Sequence, residues 1–355
     1  MKAAVFFGQK DIRVVDVEEP QISKPNEVKI KVCYCGICGS DIEEYLYGPI
    51  VVPTEPHPLT GRMRPIILGH EFSGEVVDVG KNVKSVNIGD KVVVNPILSC
   101  GECYWCKRDT PCLCKRMACM GLGTDGAFAQ YIVVPTENCY KVSLEAPLDK
   151  LALAEPTGVA LRAIRKAGMQ VGDDIIIIGA GTIGLIALQI ARIAGANKIF
   201  VIVRSPGRIK LAEKMGASAV LNSSTDDIEK EIQHLTHGEG VNKIIVLAGN
   251  KSLPGFASAL VEKGGLVMLL GISPQPCPIN INDVVISEKC LLGSHGYNKN
   301  DFKKSVNFIV SGMLDIDTLI TKRIKLNDIV REGFEELAVP HGKNIKILVS
   351  PESSN

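Results

Sequence analysis

Four cysteines crowd into one short stretch, "CGECYWCKRDTPCLC", at Cys100, Cys103, Cys106 and Cys114, with two, two and seven residues between them. Four thiolates this close in sequence suit a tetrahedral Zn²⁺ with every coordination position filled. A site closed by four sulfurs has no place for a substrate, so its role would be structural. Buried or disulfide-paired cysteines are the alternative reading, and an iron–sulfur cluster is a further one. Cys112 lies in the same loop and competes for the fourth position, although the wider spacing favours Cys114. A second set of metal-binding types is scattered: Cys38 in "CGICGSD", His70 and Glu71 in "LGHEFSG", and Glu155 in "LALAEP". One thiolate, one imidazole and a carboxylate can hold Zn²⁺ and still leave a position for water or substrate. Ser40 follows Cys38 by two residues, and taken alone it reads as a turn-capping serine.

A third constellation is "GAGTIG", which supplies Gly179, Gly181 and Gly184, with Thr182 and Ile183 between the last two. The first glycine allows a tight turn, the second lets a pyrophosphate approach the backbone, and the third permits close helix–strand packing. Proteins that select NAD carry an acid about 20 residues further on, for the ribose hydroxyls. Here the following strand, "KIFVIV", ends at Val203, and no Asp or Glu occurs between Asp174 and Glu213. Arg204, Ser205 and Arg208 stand there instead. Two arginine forks and a hydroxyl suit a 2′-phosphate, so the expected cofactor is NADP(H) in preference to NAD(H). The other reading is a pair of solvated arginines at a helix start.

The elements that must carry these residues fall into two textures. Up to about residue 150 the chain is rich in Val, Gly and Pro, and "EVKIKVCYCG", "EFSGEVVDVG", "GDKVVVNP" and "FAQYIVVP" read as short strands of a barrel-like β unit. From 152 to 294, strands such as "DDIIIIG", "NKIFVIV", "NKIIVLAG", "GLVMLLG" and "CLLGS" alternate with helical stretches. Among the latter are "TIGLIALQIARIAGA", "GRIKLAEKMGA" and segments near 226–235 and 252–263. That alternation predicts a parallel, doubly wound sheet. The tail from 295 to 355, with a helix near 300–312 and a strand "NIKILV", is expected to return to the first domain.

Composition narrows the function. The 355 residues are 46% hydrophobic, enough for two domains with real cores. Forty Lys+Arg against 39 Asp+Glu leave a net charge of +1, which gives no support for nucleic acid as a partner. No apolar run is long enough to span a membrane, and the N-terminus lacks the pattern of a signal peptide. The expected location is therefore cytoplasmic, where 12 cysteines point to metal before disulfides.

Over nearly its whole length the chain resembles the zinc-dependent medium-chain dehydrogenase/reductase family. The matching pieces are "GICGSD", "LGHEFSGEVVDVG", "GDKVVV", the four-cysteine loop, "DGAFAQYIVVP", "AEPTGVAL" and "GAGTIG". The resemblance implies an α/β fold: a β-rich GroES-like catalytic domain over 1–151 and 295–355, and a Rossmann coenzyme domain over 152–294. It implies that Cys38 and His70 ligate a catalytic zinc, with Glu71 or Glu155 as the carboxylate. It also implies that Ser40 starts a proton relay, and that a homodimer or homotetramer forms. The 21-residue insert Tyr45–Pro65, "YLYGPIVVPTEPHPLTGRMRP", between Cys38 and His70 is similar to that of butanediol dehydrogenases. So is "LLGSHGY", whose Ser294 is placed with the cofactor residues. The arginine loop resembles NADP-using ketose reductases of the sorbitol dehydrogenase branch. Vicinal diols, polyols and their hydroxyketones are therefore the expected substrates. Arg162 stands where both branches carry His, in "VALRA"; it argues for an anionic substrate such as a polyol phosphate, or it is a surface replacement. A non-catalytic protein that merely binds zinc and NADP is the alternative outside enzymology.

Overall fold

The computed structural model describes residues 1–339 and 342–351. The last four residues of the 295–355 span, and positions 340 and 341, lie outside the described residues. The chain divides into two compact units, Met1–Pro156 with Tyr297–Asn355, and Thr157–Gly296.

In the first unit, alternating Val and Ile residues build a seven-stranded sheet. Its order is Cys139–Lys141, Lys91–Val94, Glu71–Val79, Glu27–Gly36, Lys346–Ser350 and Ile320–Lys325, and Tyr131–Pro135 also pairs with Glu27–Gly36. A hairpin of Lys2–Gly8 and Asp11–Asp16, extended by Ile66–Ile67, makes a second small sheet. Val28, Ile30, Val32, Phe72, Val76, Phe128 and Phe334 are among the residues that fill the space between them. The strand Glu71–Val79 runs antiparallel to Glu27–Gly36, with Gly36 opposite Glu71, and Leu348 of the C-terminal strand lies opposite Gly36 on the other side. The strand Lys346–Ser350 thus lies one strand away from the start of the motif "GHEFSG".

In the second unit the sheet is parallel throughout, in the order Ala219–Asn222, Ile199–Val203, Ile175–Ile178, Val241–Val246, Val261–Leu269, Cys290–Gly293. Fully buried parallel strands need apolar residues on both faces. Ile175–Ile178 and Ile199–Val203 have every position buried. The strand order reverses on either side of Ile175–Ile178, and the crevice at the carboxyl ends of strands at such a switch is where open α/β sheets bind ligands.

Among the helices not foreseen from the sequence, two carry site residues: Gly39–Tyr47 and Ala154–Lys166. Each starts within or beside a chemistry-bearing motif, and Pro156 falls in the first turn of the second, where a missing N–H costs nothing. The helix expected to reach 263 stops at Leu260, and the strand expected from 265 already begins at Val261. The register slips between Val241 and Lys243, so Val261 pairs with Val241 before "EKGG" turns and pairing resumes at Leu266. Arg162 is 8% exposed, so the surface-replacement reading is corrected: its guanidinium belongs to the interior.

Candidate metal and dinucleotide sites

The four-cysteine loop closes on itself. Sγ–Sγ distances are 3.5 Å for Cys103–Cys106, 3.5 Å for Cys114–Cys100 and 3.9 Å for Cys100–Cys106. A tetrahedron with metal–sulfur bonds of about 2.3 Å has edges of roughly 3.8 Å, whereas a disulfide needs about 2.05 Å. All twelve cysteines are free, which removes the disulfide reading. Cys112 is buried nearby but is not one of the converging four. Backbone N–H groups of Glu102 and Cys103 push the Cys100 thiol down to about 6, while burial pushes Cys114 up to about 11. Cys100 is therefore the readiest thiolate of the set.

The second site is drawn from distant parts of the first unit. Cys38 precedes the helix Gly39–Tyr47 as its N-cap, His70 ends a loop, and Glu71 opens the strand Glu71–Val79. Ligand atoms of Cys38, His70 and Glu71 all lie within 4.8 Å of one another. Ser40 Oγ is 3.4 Å from His70 Nε2. Asp41, fully buried, accepts a hydrogen bond from the Cys38 backbone N–H at 2.9 Å, and its other oxygen faces His70 Nδ1 at 3.5 Å. Burial disfavours a charged His70, but the Asp41 carboxylate and Cys38 outweigh it and hold the imidazole pKa well above its ordinary value. The field that favours a proton on His70 favours a metal cation in its place. A thiolate, an imidazole and a carboxylate, with a carboxylate behind the imidazole, make a donor set that fits zinc.

Glu155 stands in the first turn of its helix, outside that trio of ligand atoms. It keeps some exposed surface, yet burial of the carboxyl, reinforced by the charge of Glu71, pushes its pKa up to about 7 against the pull of His70 and Lys346. Beside it lies Tyr297, 0% exposed, stacked on Phe302 with ring centroids 5.6 Å apart. The Tyr297 hydroxyl makes no well-formed hydrogen bond among the described residues. Sequence reading missed Asp41, Tyr297, Cys119 and Lys346. Only Asp41, three residues after Cys38 at a helix start, carried a local signal, the N-cap and N3 pairing of a capping box. Burial pushes the Cys119 thiol up to about 12, and it feels His70 and Glu155.

In the second unit, Gly179 ends the buried strand Ile175–Ile178 with φ +111°, and Gly181 caps the helix Thr182–Ile193. A Cβ on Gly184 would meet the Gly179 carbonyl oxygen at 1.9 Å, whereas one on Gly181 would meet nothing within 4 Å. One glycine is thus required by helix–strand packing, and the other leaves open space over the helix N-terminus. Val203 ends its strand, and Pro206–Arg208 form a single 3-10 turn ahead of Ile209–Lys214. Arg208 Nη1 donates to the Ala180 carbonyl at 2.9 Å, and burial lowers its pKa. The solvated-pair reading fails for Arg208, which is tied to the glycine loop; Arg204 is exposed and Ser205 is buried. Ser224 Oγ reaches the Arg204 carbonyl at 3.4 Å, which brings a second hydroxyl to this corner. Ser294 Oγ is buried without a hydrogen-bond partner among the described residues.

The profile of the alcohol dehydrogenase GroES-like domain matches residues 24–144, and that of the zinc-binding dehydrogenase matches 182–311. The (R,R)-butanediol dehydrogenase of Bacillus subtilis (strain 168) is 39% identical over 353 residues, which cover 99% of this chain and 100% of that protein. The chain belongs to the zinc-binding medium-chain alcohol dehydrogenases. The crystal structure of 2R,3R-butanediol dehydrogenase from Bacillus subtilis superimposes with a TM-score of 0.92 at 38% identity, covering 99% of both chains. A zinc-binding dehydrogenase from Sinorhizobium meliloti 1021, bound to NADP, gives 0.88 at 29% identity, again over 99% of both chains. The sorbitol dehydrogenase of Bacillus subtilis (strain 168) is 33% identical over 99% of this chain and 97% of that protein. This protein is accordingly an oxidoreductase of the zinc-type diol and polyol dehydrogenase class, with a GroES-like domain and a Rossmann-like parallel-sheet domain. No helix among the described residues is long and apolar enough to cross a membrane.

Proposed function

We propose that this dehydrogenase interconverts a vicinal diol and its hydroxyketone, of the 2,3-butanediol and acetoin kind, using NADP(H). The observation that carries the reading is the convergence of Cys38, His70 and Glu71 with Ser40 3.4 Å from His70. A zinc ion held by Cys38, His70 and a glutamate supplies Lewis acidity toward the substrate oxygen, and the dinucleotide supplies the hydride partner. The chain's own residues do the rest. Ser40 Oγ takes the proton of the alcohol and passes it outward. Asp41 orients the His70 ring through Nδ1. Tyr297 and Glu155 present a hydroxyl and a carboxyl that answer the second oxygen of a diol, a need that a simple alcohol does not have. Glu155 at about 7 holds or yields a proton near neutrality, so it donates to a ketone oxygen or accepts from a hydroxyl.

A second zinc in the four-cysteine loop completes two per chain, in the portion 1–151 and 295–355; the portion 152–294 takes the dinucleotide. Arg204, Ser205 and Arg208 hold its 2′-phosphate, and Gly179, Gly181, Thr182, Ile183 and Gly184 hold its pyrophosphate, with Ser294 nearby. Homo-oligomerisation is supported by the exposed Ile281, Val285 and Ile286 in the segment leading to the sheet-edge strand Cys290–Gly293. A polyol phosphate is the second reading, favoured by buried Arg162 two helical turns beyond Glu155. Galactitol-1-phosphate dehydrogenase from Escherichia coli resembles this chain with a TM-score of 0.87 at 28% identity. The test is kcat/KM for butanediol stereoisomers, sorbitol and polyol phosphates with each cofactor. The first reading expects butanediol or acetoin with NADP(H) to lead. A lead for a polyol phosphate moves the assignment to the second reading, and a lead for NAD(H) removes the role of the arginine corner.

A further inference from the structure

Lys346 is the least expected group in the first unit: a cation 2% exposed, at the first position of the last strand. Its Nζ donates to both carboxylate oxygens of Glu71, at 2.8 and 2.6 Å, and to the carbonyl oxygen of Ile37 at 2.8 Å. The contact crosses Gly36, which lies between the two strands in the sheet. A Cβ there would sit 2.3 Å from Glu71 Oε2 and 3.3 Å from Lys346 Cδ. The chain therefore leaves a side-chain-sized gap in the sheet through which this pair meets. Ile37 immediately precedes Cys38, so one ammonium grips the backbone beside one donor of the trio and the whole carboxylate of another.

We propose that Lys346 is a positioning residue that competes with the metal for Glu71 and so keeps the catalytic zinc site open. The proposal rests on the reading of Cys38, His70 and Glu71 as that site. Glu71 is fully buried, and a buried carboxylate demands a cation. Among the described residues the Lys346 ammonium meets that demand, and a metal held by Cys38 and His70 would be the second cation within reach. With Lys346 in place, the demand is already met, and Glu71 binds the metal loosely enough to yield a position to water or substrate. Without it, the metal becomes the sole cation within reach, and Glu71 closes on it as a tight ligand. An ordinary packing role predicts the opposite, since loss of a buried partner would loosen the site.

The experiment measures metal release and metal environment rather than turnover alone. The holoenzyme and its Lys346→Met, Lys346→Gln, Glu71→Gln, Cys38→Ser and doubly substituted Glu71→Gln, Lys346→Met forms are challenged with a chromogenic chelator. The same set is loaded with Co²⁺, and its absorption is recorded. In Lys346→Met, release from the Cys38-dependent site is expected to slow by about tenfold or more, the Co²⁺ bands to shift, and kcat to fall. Lys346→Gln keeps a donor for Ile37 and is read the same way if Lys346→Met does not fold. The slowing should vanish in the Glu71→Gln background. Release that is unchanged or faster in the Lys346 variants, or slowing that survives Glu71→Gln, overturns the competition. If Cys38→Ser retains the full metal content of the wild type, the metal-site reading itself fails, a result distinct from either of these.

Discussion

The two clusters that could hold a metal ion are built in opposite ways. The four-cysteine loop draws all its donors from 15 consecutive positions, Cys100 to Cys114, and its sulfurs already stand at the edge lengths of a tetrahedron. The Cys38, His70 and Glu71 site draws on a helix start and a strand start 32 residues apart, braced by Asp41, and its carboxylate is tied to a lysine 275 residues further along. The first site is all sulfur and complete; the second is mixed and has a ligand with another attachment. A closed set of strong donors stabilises a fold, and an open set with a competing partner leaves room for chemistry.

Substitution of the donors is the largest expected effect and the direct way to break this comparison. Cys38→Ser or His70→Ala should abolish turnover while the thermal transition stays cooperative. Cys103→Ser should lower the transition or prevent assembly, since a structural zinc contributes folding energy outright. Loss of activity without loss of stability in Cys103→Ser would dissolve the distinction. Next in size, Ser40→Ala should slow turnover by about 10²–10⁴-fold with cofactor affinity unchanged, as measured by steady-state kinetics and cofactor titration. A wild-type rate would remove Ser40 from the relay and leave the open site with donors alone.

The pH dependence sharpens the contrast further. A carboxyl whose folded pKa lies above its ordinary value binds its proton more tightly when folded. Its contribution to stability is therefore full at low pH and is lost as pH rises from 4.5 toward about 7. For Glu155 in the metal-free protein the loss amounts to about 3 kcal/mol. Denaturant unfolding on either side of that window should show the decline in wild type and its absence in Glu155→Gln. Cys100 in the four-cysteine loop, at about 6, carries the opposite sign, since a lowered thiol pKa adds stability as pH rises, so the decline is read from Glu155→Gln and should steepen in Cys100→Ser. The smallest effect concerns the arginine corner, another contiguous segment but one whose Arg208 is fastened to a distant loop. Arg204→Ala and Arg208→Ala should each cut kcat/KM for NADPH by about tenfold, with little change for NADH in Arg204→Ala. Arg208→Ala should also weaken NADH, because its removal frees the Ala180 carbonyl and slackens the glycine loop.

Much of this was legible before any coordinates. The cysteine loop, the glycine turn and the strand runs "EVKIKVCYCG" and "IIII" announce themselves because each depends on residues near one another in the chain. The alternation of strands and helices also predicted the parallel sheet, since parallel strands need crossover connections, and their apolar runs agree with burial on both faces. The helix that begins at Gly39 was hidden by its glycine and short polar residues, and the one at Ala154 by a proline and a glycine in its first two turns. The strand that begins at Val261 was hidden behind "EKGG", where pairing lapses and resumes.

What the amino-acid order determined by itself is the chemistry available: which donors, which glycines, which arginines, and that no acid guards the end of "KIFVIV". Tertiary structure alone decided which of those groups work together. Glu71 converges with Cys38 and His70 while Glu155 stands apart with Tyr297, Arg162 goes inside, and Lys346 reaches Glu71 across a glycine. The physical reason is that a buried charge has no water to answer it, so its partner is chosen by sheet register and burial, and neither is written in local spacing.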